Sequence, residues 1–477
     1  MAKYDPKVAQ DFINKLWDES MQQSIMDFIR IPNQSKNFDP EWNTNGLQEK
    51  ACAHIVDWSK KQNVKGLTIE TIKDSDKSPL VYMEYPGDRT DFTLLFYGHY
   101  DKQPPFTGWS EGLGPYEPVI RDGKMYGRGG ADDGYSIYGS IGAIKACQEQ
   151  GLPIPRVVCL FEGDEESGST HLPAYIEKLK DRIGNIDLVF CLDSGCMNYD
   201  QLWMTTSLRG ACLFTLNVEV LTEGVHSGDA SGIVPDSFRI ARDLLNRIED
   251  SKTGVVAKDF TVNVPSTRYQ EAELAVQQVG NSGIDRFPVV KGQSNVEHGK
   301  NPFQAYVNNT WLPQLAVIGA DGLPPCKSAG NVLRPVTSLR CSMRLPPTLD
   351  AQQAAKDVVR ILEANPPYGC KVSVTGALGM SGWNAPYMSE QLVKTFSEAS
   401  QAFFGKPGVQ FGMGGSIPLM GLLNSLFPKA EFVISGILGP ATNAHGPNEM
   451  FVIDYLKKFI PSMGHILANS YHFQKSN

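Results

Sequence analysis

An α/β fold interrupted by a second, smaller α+β module is what the sequence predicts, on three features. Short, β-branched apolar strands alternate with segments of helical spacing, the pattern of a sheet with helices on both faces. That pattern breaks at Leu208-Arg209-Gly210 and returns beyond Gly382-Trp383. Four of the apolar strands run directly into an acid or a histidine. With 477 residues, 41% hydrophobic and 20% charged, the chain has material for two or three domains and lacks the composition of a disordered protein.

In chain order, Asp5 to Arg30 has helical spacing, with Trp17, Ile25, Phe28 and Ile29 on the buried side. A loop rich in Pro, Asn, Gly and Ser follows to Asn45, then a helix over Leu47 to Gln62 carrying Ile55 and Trp58. Strands are predicted at Leu80–Tyr85 and Phe92–Tyr97. In the inserted region, Phe214 to Val220 and Ser338 to Leu345 alternate like half-buried strands and Lys371 to Thr375 reads as a strand. Asp236 to Ile248 and Asp350 to Ala364 read as helices. A helix over Ser389 to Phe404 and a strand over Glu431 to Ser435 mark the return of the first pattern. The boundaries are therefore a discontinuous first domain over 1–207 and 382–477, and an insertion over 208–381.

A net charge of −8 argues against nucleic acid or an anionic membrane as the main partner. Nine scattered cysteines without a C-x-x-C pair offer neither a disulfide framework nor a cysteine zinc site, so a reducing, cytoplasmic location is expected. Neither a signal sequence nor an apolar run near the roughly 18 residues of a membrane span is expected.

The chemistry is expected where strands end. Phe92 to Tyr97 leads into Gly98-His99-Tyr100-Asp101, and Val157 to Phe161 into Glu162-Gly-Asp-Glu165-Glu166-Ser-Gly. Leu188 to Leu192 leads into Asp193, and Phe432 to Ser435 through a Gly/Pro/Asn loop to His445. In open α/β sheets, ligands bind beyond the carboxyl ends of strands, so these side chains would share one crevice. The glycine-rich string Tyr126-Gly-Arg-Gly-Gly-Ala-Asp132-Asp133-Gly134 delivers another carboxylate. A lone histidine after a strand is more often structural, twin glutamates more often open a turn, and Asp-Asp pairs are common caps. It is their joint placement that carries weight. Two histidines with several carboxylates suit zinc, manganese or cobalt, and a pair of divalent ions needs a shared carboxylate between them.

The ordered strings YGHYD, DGKMYGRGGADDG, FEGDEESGS and LDSG, with the late His445, resemble those of the dinuclear-metal amidohydrolases. That superfamily comprises aminoacylase, acetylornithine deacetylase, succinyl-diaminopimelate desuccinylase, glutamate carboxypeptidase and the carnosine dipeptidases. GKMYGRG, EGDEESGS, LRG and VHSG most resemble the cytosolic nonspecific and Cys-Gly dipeptidase branch. The resemblance implies a mixed-sheet catalytic domain with an inserted ferredoxin-like lid that dimerises. It implies two divalent ions per subunit, zinc or manganese: His99 and Asp193 on one, Glu166 and His445 on the other, Asp132 bridging. Glu165 would be the general base and Asp101 the carboxylate that orients His99. The Asp132–Asp133 bond resembles one that is cis in the family. His226 of Val225-His226-Ser227-Gly228 resembles a histidine that reaches the partner subunit's site, and Arg344 one that grips a substrate carboxylate. Asn331, Gly415 and Ser416 resemble further substrate contacts.

Three departures bear on the substrate rather than the reaction: Gly134 stands where relatives usually have lysine, Asp229 to Ile233 is atypical, and so is Cys326 to Asn331. The implied activity is hydrolysis of small peptides as a dipeptidase. An N-acyl amino acid deacylase on the same residues, or more remotely a non-catalytic dimeric binding protein, is the alternative. His54, His171, His298, His465 and His472 lack motif context and are expected to be structural or on the surface.

Overall fold

A computed structural model describes residues 3–287, 289–292, 301–386 and 388–475. His298 lies outside the described residues. The chain forms two compact units: Met1–Thr205, Ala385–Phe411 and Leu422–Asn477 make the first, and Thr206–Asn384 with Gly412–Gly421 the second.

The first unit is built on a six-stranded sheet in the order Thr68–Ile72, Leu80–Tyr85, Pro155–Glu162, Arg89–His99, Leu188–Cys191, Glu431–Ile434. Arg89–His99 pairs in parallel with both Pro155–Glu162 and Leu188–Cys191, and Glu431–Ile434 continues the parallel run. The two outermost strands on the other side are antiparallel, so the sheet is mixed. Leu94 to Tyr97 and Val157 to Phe161 are inaccessible at every residue. A strand buried on both faces has no polar side to show, which is why these segments are continuously apolar in sequence. Tyr135–Glu149 is likewise almost wholly buried. The N-terminal segment is helical over Pro6–Leu16 and Gln22–Ile29, joined by one wider turn, with Trp17, Ile25, Phe28 and Ile29 buried.

The second unit has a four-stranded antiparallel sheet in the order Gln314–Asp321, Val336–Leu345, Gly210–Glu219, Lys371–Met380. With helices Ser237–Leu245 and Ala351–Glu363, the chain order is βαββαβ and the sheet order is that of a ferredoxin-like fold. Asp236 and Asp350 cap the two helices through their carboxylates. Burial alternates along Val336–Leu345, one face packing Leu339, Cys341 and Met343 against Ile240, Leu244, Val358 and Leu362. Helices Ser266–Val279 and Pro302–Thr310 are added between the first helix and Gln314–Asp321, around Ala272, Val307 and Trp311. Gly412–Gly421 carries no boundary signal in the sequence, but Gly412 exchanges hydrogen bonds with the Tyr306 hydroxyl. Among the described residues no helix is long and apolar enough to cross a membrane, and all nine cysteines are unbridged.

Candidate metal centre

Because four neighbouring strands of the first unit are parallel, their carboxyl ends lie side by side. His99 is the last residue of Arg89–His99; Glu162 ends Pro155–Glu162, and the short turn Glu165–Ser167 follows. Asp193 lies two residues past Leu188–Cys191, and His445 sits in the loop that follows Glu431–Ile434, with φ at +65°. Asp132 comes from the turn leading into Tyr135–Glu149, and its peptide bond to Asp133 is cis. Gly98 is required where that turn meets the strand: a Cβ there would lie 2.6 Å from Asp133 Oδ2 and 2.2 Å from Ser136 Oγ. This close approach lets Asp133 Oδ2 accept the backbone N–H of His99 at 3.2 Å.

Asp132 is the centre of the cluster. Its Oδ1 faces His99 Nε2 at 3.2 Å and its Oδ2 faces His445 Nε2 at 3.0 Å. Glu166 Oε2 lies 3.3 Å from His445 Nε2. Asp193 Oδ1 and Glu165 Oε2 are each 3.9 Å from His99 Nε2. His99, Asp132 and Glu166 form one group able to enclose a cation, and His99, Glu165 and Asp193 another. The structure thus brings together all five sequence-predicted ligands and Glu165.

Asp101 does more than face the imidazole. Its Oδ1 is 3.3 Å from His99 Nδ1, and its two oxygens accept the backbone N–H groups of Glu165 and Glu166, both at 3.1 Å. One carboxylate therefore sets the ring of His99 and the turn that carries both glutamates. The first contact is the one expected from the sequence; the second depends on a contact across 64 residues. Gln103, also missed, donates from Nε2 to Glu166 Oε2 at 2.5 Å.

The electrostatics test whether a cation fits. Burial, then the charge of Asp193, pushes Glu165 well above the usual carboxyl range. Burial, then Asp132, does the same to Glu166, and burial brings Asp193 up to about 6. Burial opposes ionisation of Asp132 too, but hydrogen bonds from His445 and His99 outweigh it and hold the carboxyl low. Burial likewise works against protonating His99, yet Asp101 and Asp132 raise it. Among the described residues, the ion pairs of Asp101, Asp132, Glu165, Glu166 and Asp193 are with His99 and His445 alone. An excess of desolvated carboxylate without lysine or arginine is a poor arrangement by itself and a good one around divalent cations. Oxygen and imidazole donors suit zinc or manganese. The residues fit the group.

Gly134 has a steric reason: a Cβ there would lie 2.2 Å from Phe28 Cε1 and 2.7 Å from the Gly129 carbonyl oxygen. The face of the same phenyl ring is taken by the fully buried Lys102, whose ammonium lies 4.1 Å from its centroid and donates to Phe28 O and Ile31 O.

The remaining predicted residues belong to the second unit. His226 and Asn331 are neighbours there: Val225–His226 pairs with Val332–Leu333, and Ser227 N–H donates to Asn331 O at 2.9 Å. Both side chains are exposed. His226 Nδ1 accepts the Gly228 N–H at 3.1 Å, which leaves the neutral ring's proton on Nε2. Arg344 and Ser416 form a second group, with Nη1 donating to Ser416 Oγ at 3.3 Å. Ser416 Oγ in turn donates to Arg209 O. Arg209, which sequence reading passed over as a boundary, holds this loop: its Nε donates to Gly414 O at 3.1 Å. Burial, then the Arg344 charge, lowers its guanidinium to about 10. Gly415 is exposed. Of the histidines without motif context, His54 bonds Ser24 and His171 bonds Ser78, while His465 is buried against Tyr4.

A mixed sheet whose parallel strands present a His/Asp/Glu cluster, with an inserted ferredoxin-like unit, is the architecture of a class of metallopeptidases. The chain belongs to peptidase family M20/M25/M40, whose profile matches residues 95–469. Membership implies a dinuclear metal site. The chain is 28% identical over 442 residues to the cysteinylglycine-S-conjugate dipeptidase of Corynebacterium striatum, over 88% of this chain and 92% of that one. It is 26% identical over 386 residues to the β-Ala-His dipeptidase of Homo sapiens, over 78% of this chain and 73% of the relative. Among solved structures, human carnosine dipeptidase 1 shares the fold with a TM-score of 0.78 at 21% identity, over 98% of this chain and 99% of that one.

Proposed function

We propose that the protein hydrolyses the amide bond of small peptides as a dipeptidase, with two divalent ions, zinc or manganese, per subunit. The observation that carries this is Asp132 standing between His99 and His445, one oxygen toward each. His99 and Asp193 would hold one ion, Glu166 and His445 the other, and Asp132 both. When bound, such a pair supplies Lewis acidity, the means of polarising a carbonyl and acidifying water near neutral pH. Glu165 takes the proton of the attacking water and passes it to the leaving amine. Its backbone bond to Asp101 keeps its position fixed.

His226 of the partner subunit donates from Nε2 to the developing oxyanion, a contact worth on the order of 3 kcal/mol. A dimer through the second unit is supported by the edge strand Gln314–Asp321, where Val317 and Ile318 are more than half or half exposed, at 59% and 50% for Ile318 and Val317 respectively. Long apolar edges in soluble proteins are normally covered. Arg344 presents a planar fork to the substrate's C-terminal carboxylate, with Ser416 setting the fork and Asn331 and Gly415 contacting the substrate nearby. The names of the two relatives, both dipeptidases, favour a free N-terminal amine. The absence of disulfides among nine cysteines favours a reducing, cytoplasmic location.

The test compares kcat/KM for a dipeptide, its C-terminal amide and N-acetyl amino acids, each with and without a chelator. The dipeptide is expected to be preferred, chelation to abolish turnover and amidation to be severely damaging, since Arg344 then loses its partner. Faster turnover of N-acetyl amino acids than of any dipeptide would make the enzyme a deacylase. Equal cleavage of the amide would remove Arg344 from its role.

A further inference from the structure

The ion pair between Arg128 and Glu449 lies outside the ligand set and takes no part in the hydrolysis. Both side chains are buried, at 1% and 0% accessibility. Arg128 Nη1 meets Glu449 Oε2, Nη2 donates to Gly446 O at 2.8 Å and Nε donates to Pro104 O at 3.2 Å. The other carboxylate oxygen, Glu449 Oε1, accepts the N–H of Gly129 at 2.9 Å and reaches that of Asp132 at 3.4 Å. One of these contacts falls on Asp132, which both ions would share, and two lead to residues proposed for the ion of Glu166 and His445. Asp132 is touched at its own nitrogen, Gly446 adjoins His445, and Pro104 adjoins Gln103, whose amide holds Glu166. No contact of the pair falls on His99 or Asp193 among the described residues.

A buried ion pair seldom stabilises a fold more than apolar residues of the same volume would. What a guanidinium fork offers here is three fixed donor directions into two separate loops, which an ammonium cannot supply. We infer that Arg128 and Glu449 are positioning residues that set the affinity of the ion held by Glu166 and His445 more strongly than that of the ion held by His99 and Asp193, Asp132 being shared by both. The inference rests on the two-ion reading above.

The test is titration of the dialysed protein with zinc against a chromophoric chelator, with far-ultraviolet circular dichroism to confirm folding. Wild type should show two binding steps, and His445→Ala identifies the one that belongs to this ion. Arg128→Lys, which keeps the charge, should weaken that same step by roughly 10–100-fold and the other step far less. Glu449→Gln keeps an acceptor for the two backbone N–H groups and should weaken the same step less. It also serves if Arg128→Lys does not fold. Equal weakening of both steps, or wild-type affinity at both with only a lower melting temperature, overturns the inference. A wild-type protein that binds one ion or none overturns the two-ion reading itself, a result visible before any variant is made.

Discussion

In the first unit, the acids and one imidazole are sunk into the protein: His99 and Asp101 are inaccessible and Asp132 is 4% exposed, while the His445 ring is open to solvent. Each is fixed by neighbours, as Asp101 fixes His99 and the turn of Glu165 and Glu166. In the second unit, His226, Asn331 and Gly415 are exposed, and Arg344 leans on a single serine hydroxyl. The difference is one of desolvation. Carboxylates withdrawn from water demand a compensating charge, which for the cluster around Asp132 comes from His99 and His445 and, on the reading proposed above, from divalent ions; groups left in water demand none.

The largest effect is expected of Asp132→Ala, which removes an oxygen from each side of the cluster. Both ions and all measurable turnover should be lost. In wild type, chelation should speed hydrogen exchange at the Glu165 and Glu166 amides and across residues 441–449, while strand Val336–Leu345 stays protected. Equal changes in both units would refute the distinction. Glu165→Gln is next: kcat should fall by roughly 10²-fold or more with both ions retained. Loss of an ion in that variant would make Glu165 a ligand.

The second unit's part is sharpened by mixing. His226→Ala and Glu165→Gln subunits, each nearly inactive alone, should recover partial activity when exchanged, because a hybrid dimer rebuilds one intact site. No recovery after proven exchange would end the role of a partner's histidine. The smallest effect is expected of Ser416→Ala, which removes one hydrogen bond from Arg344. KM should rise by the few-fold that about 1 kcal/mol allows, with kcat little changed.

Much of the candidate site was legible because its residues are punctuated by strands. An apolar run that ends in GHYD or EGDEES marks both the strand and the side chains at its end, and parallel pairing then makes those ends neighbours. Hydrophobic alternation made Val336–Leu345 and the helix Ala351–Glu363 equally legible. What stayed hidden were contacts between residues far apart in the chain. Arg128 and Glu449 are 321 positions apart, Gln103 and Glu166 63, and Arg209 and Gly414 205. None has a periodicity, and a glutamate in a loop reads as a solvated one until folding buries it.

Local order along the chain set the residue types at the strand ends, the mixed α/β and α+β character of its two parts, and the imidazole and carboxylate chemistry that a divalent ion requires. These follow from local order and from the sheet's periodicity. Only the tertiary structure decided that Asp132 stands between two histidines, that Asp101 grips two backbone amides, and that Gly412–Gly421 joins the second unit. Those outcomes depend on which surfaces lose water together, and burial is a property of the assembled chain rather than of any segment.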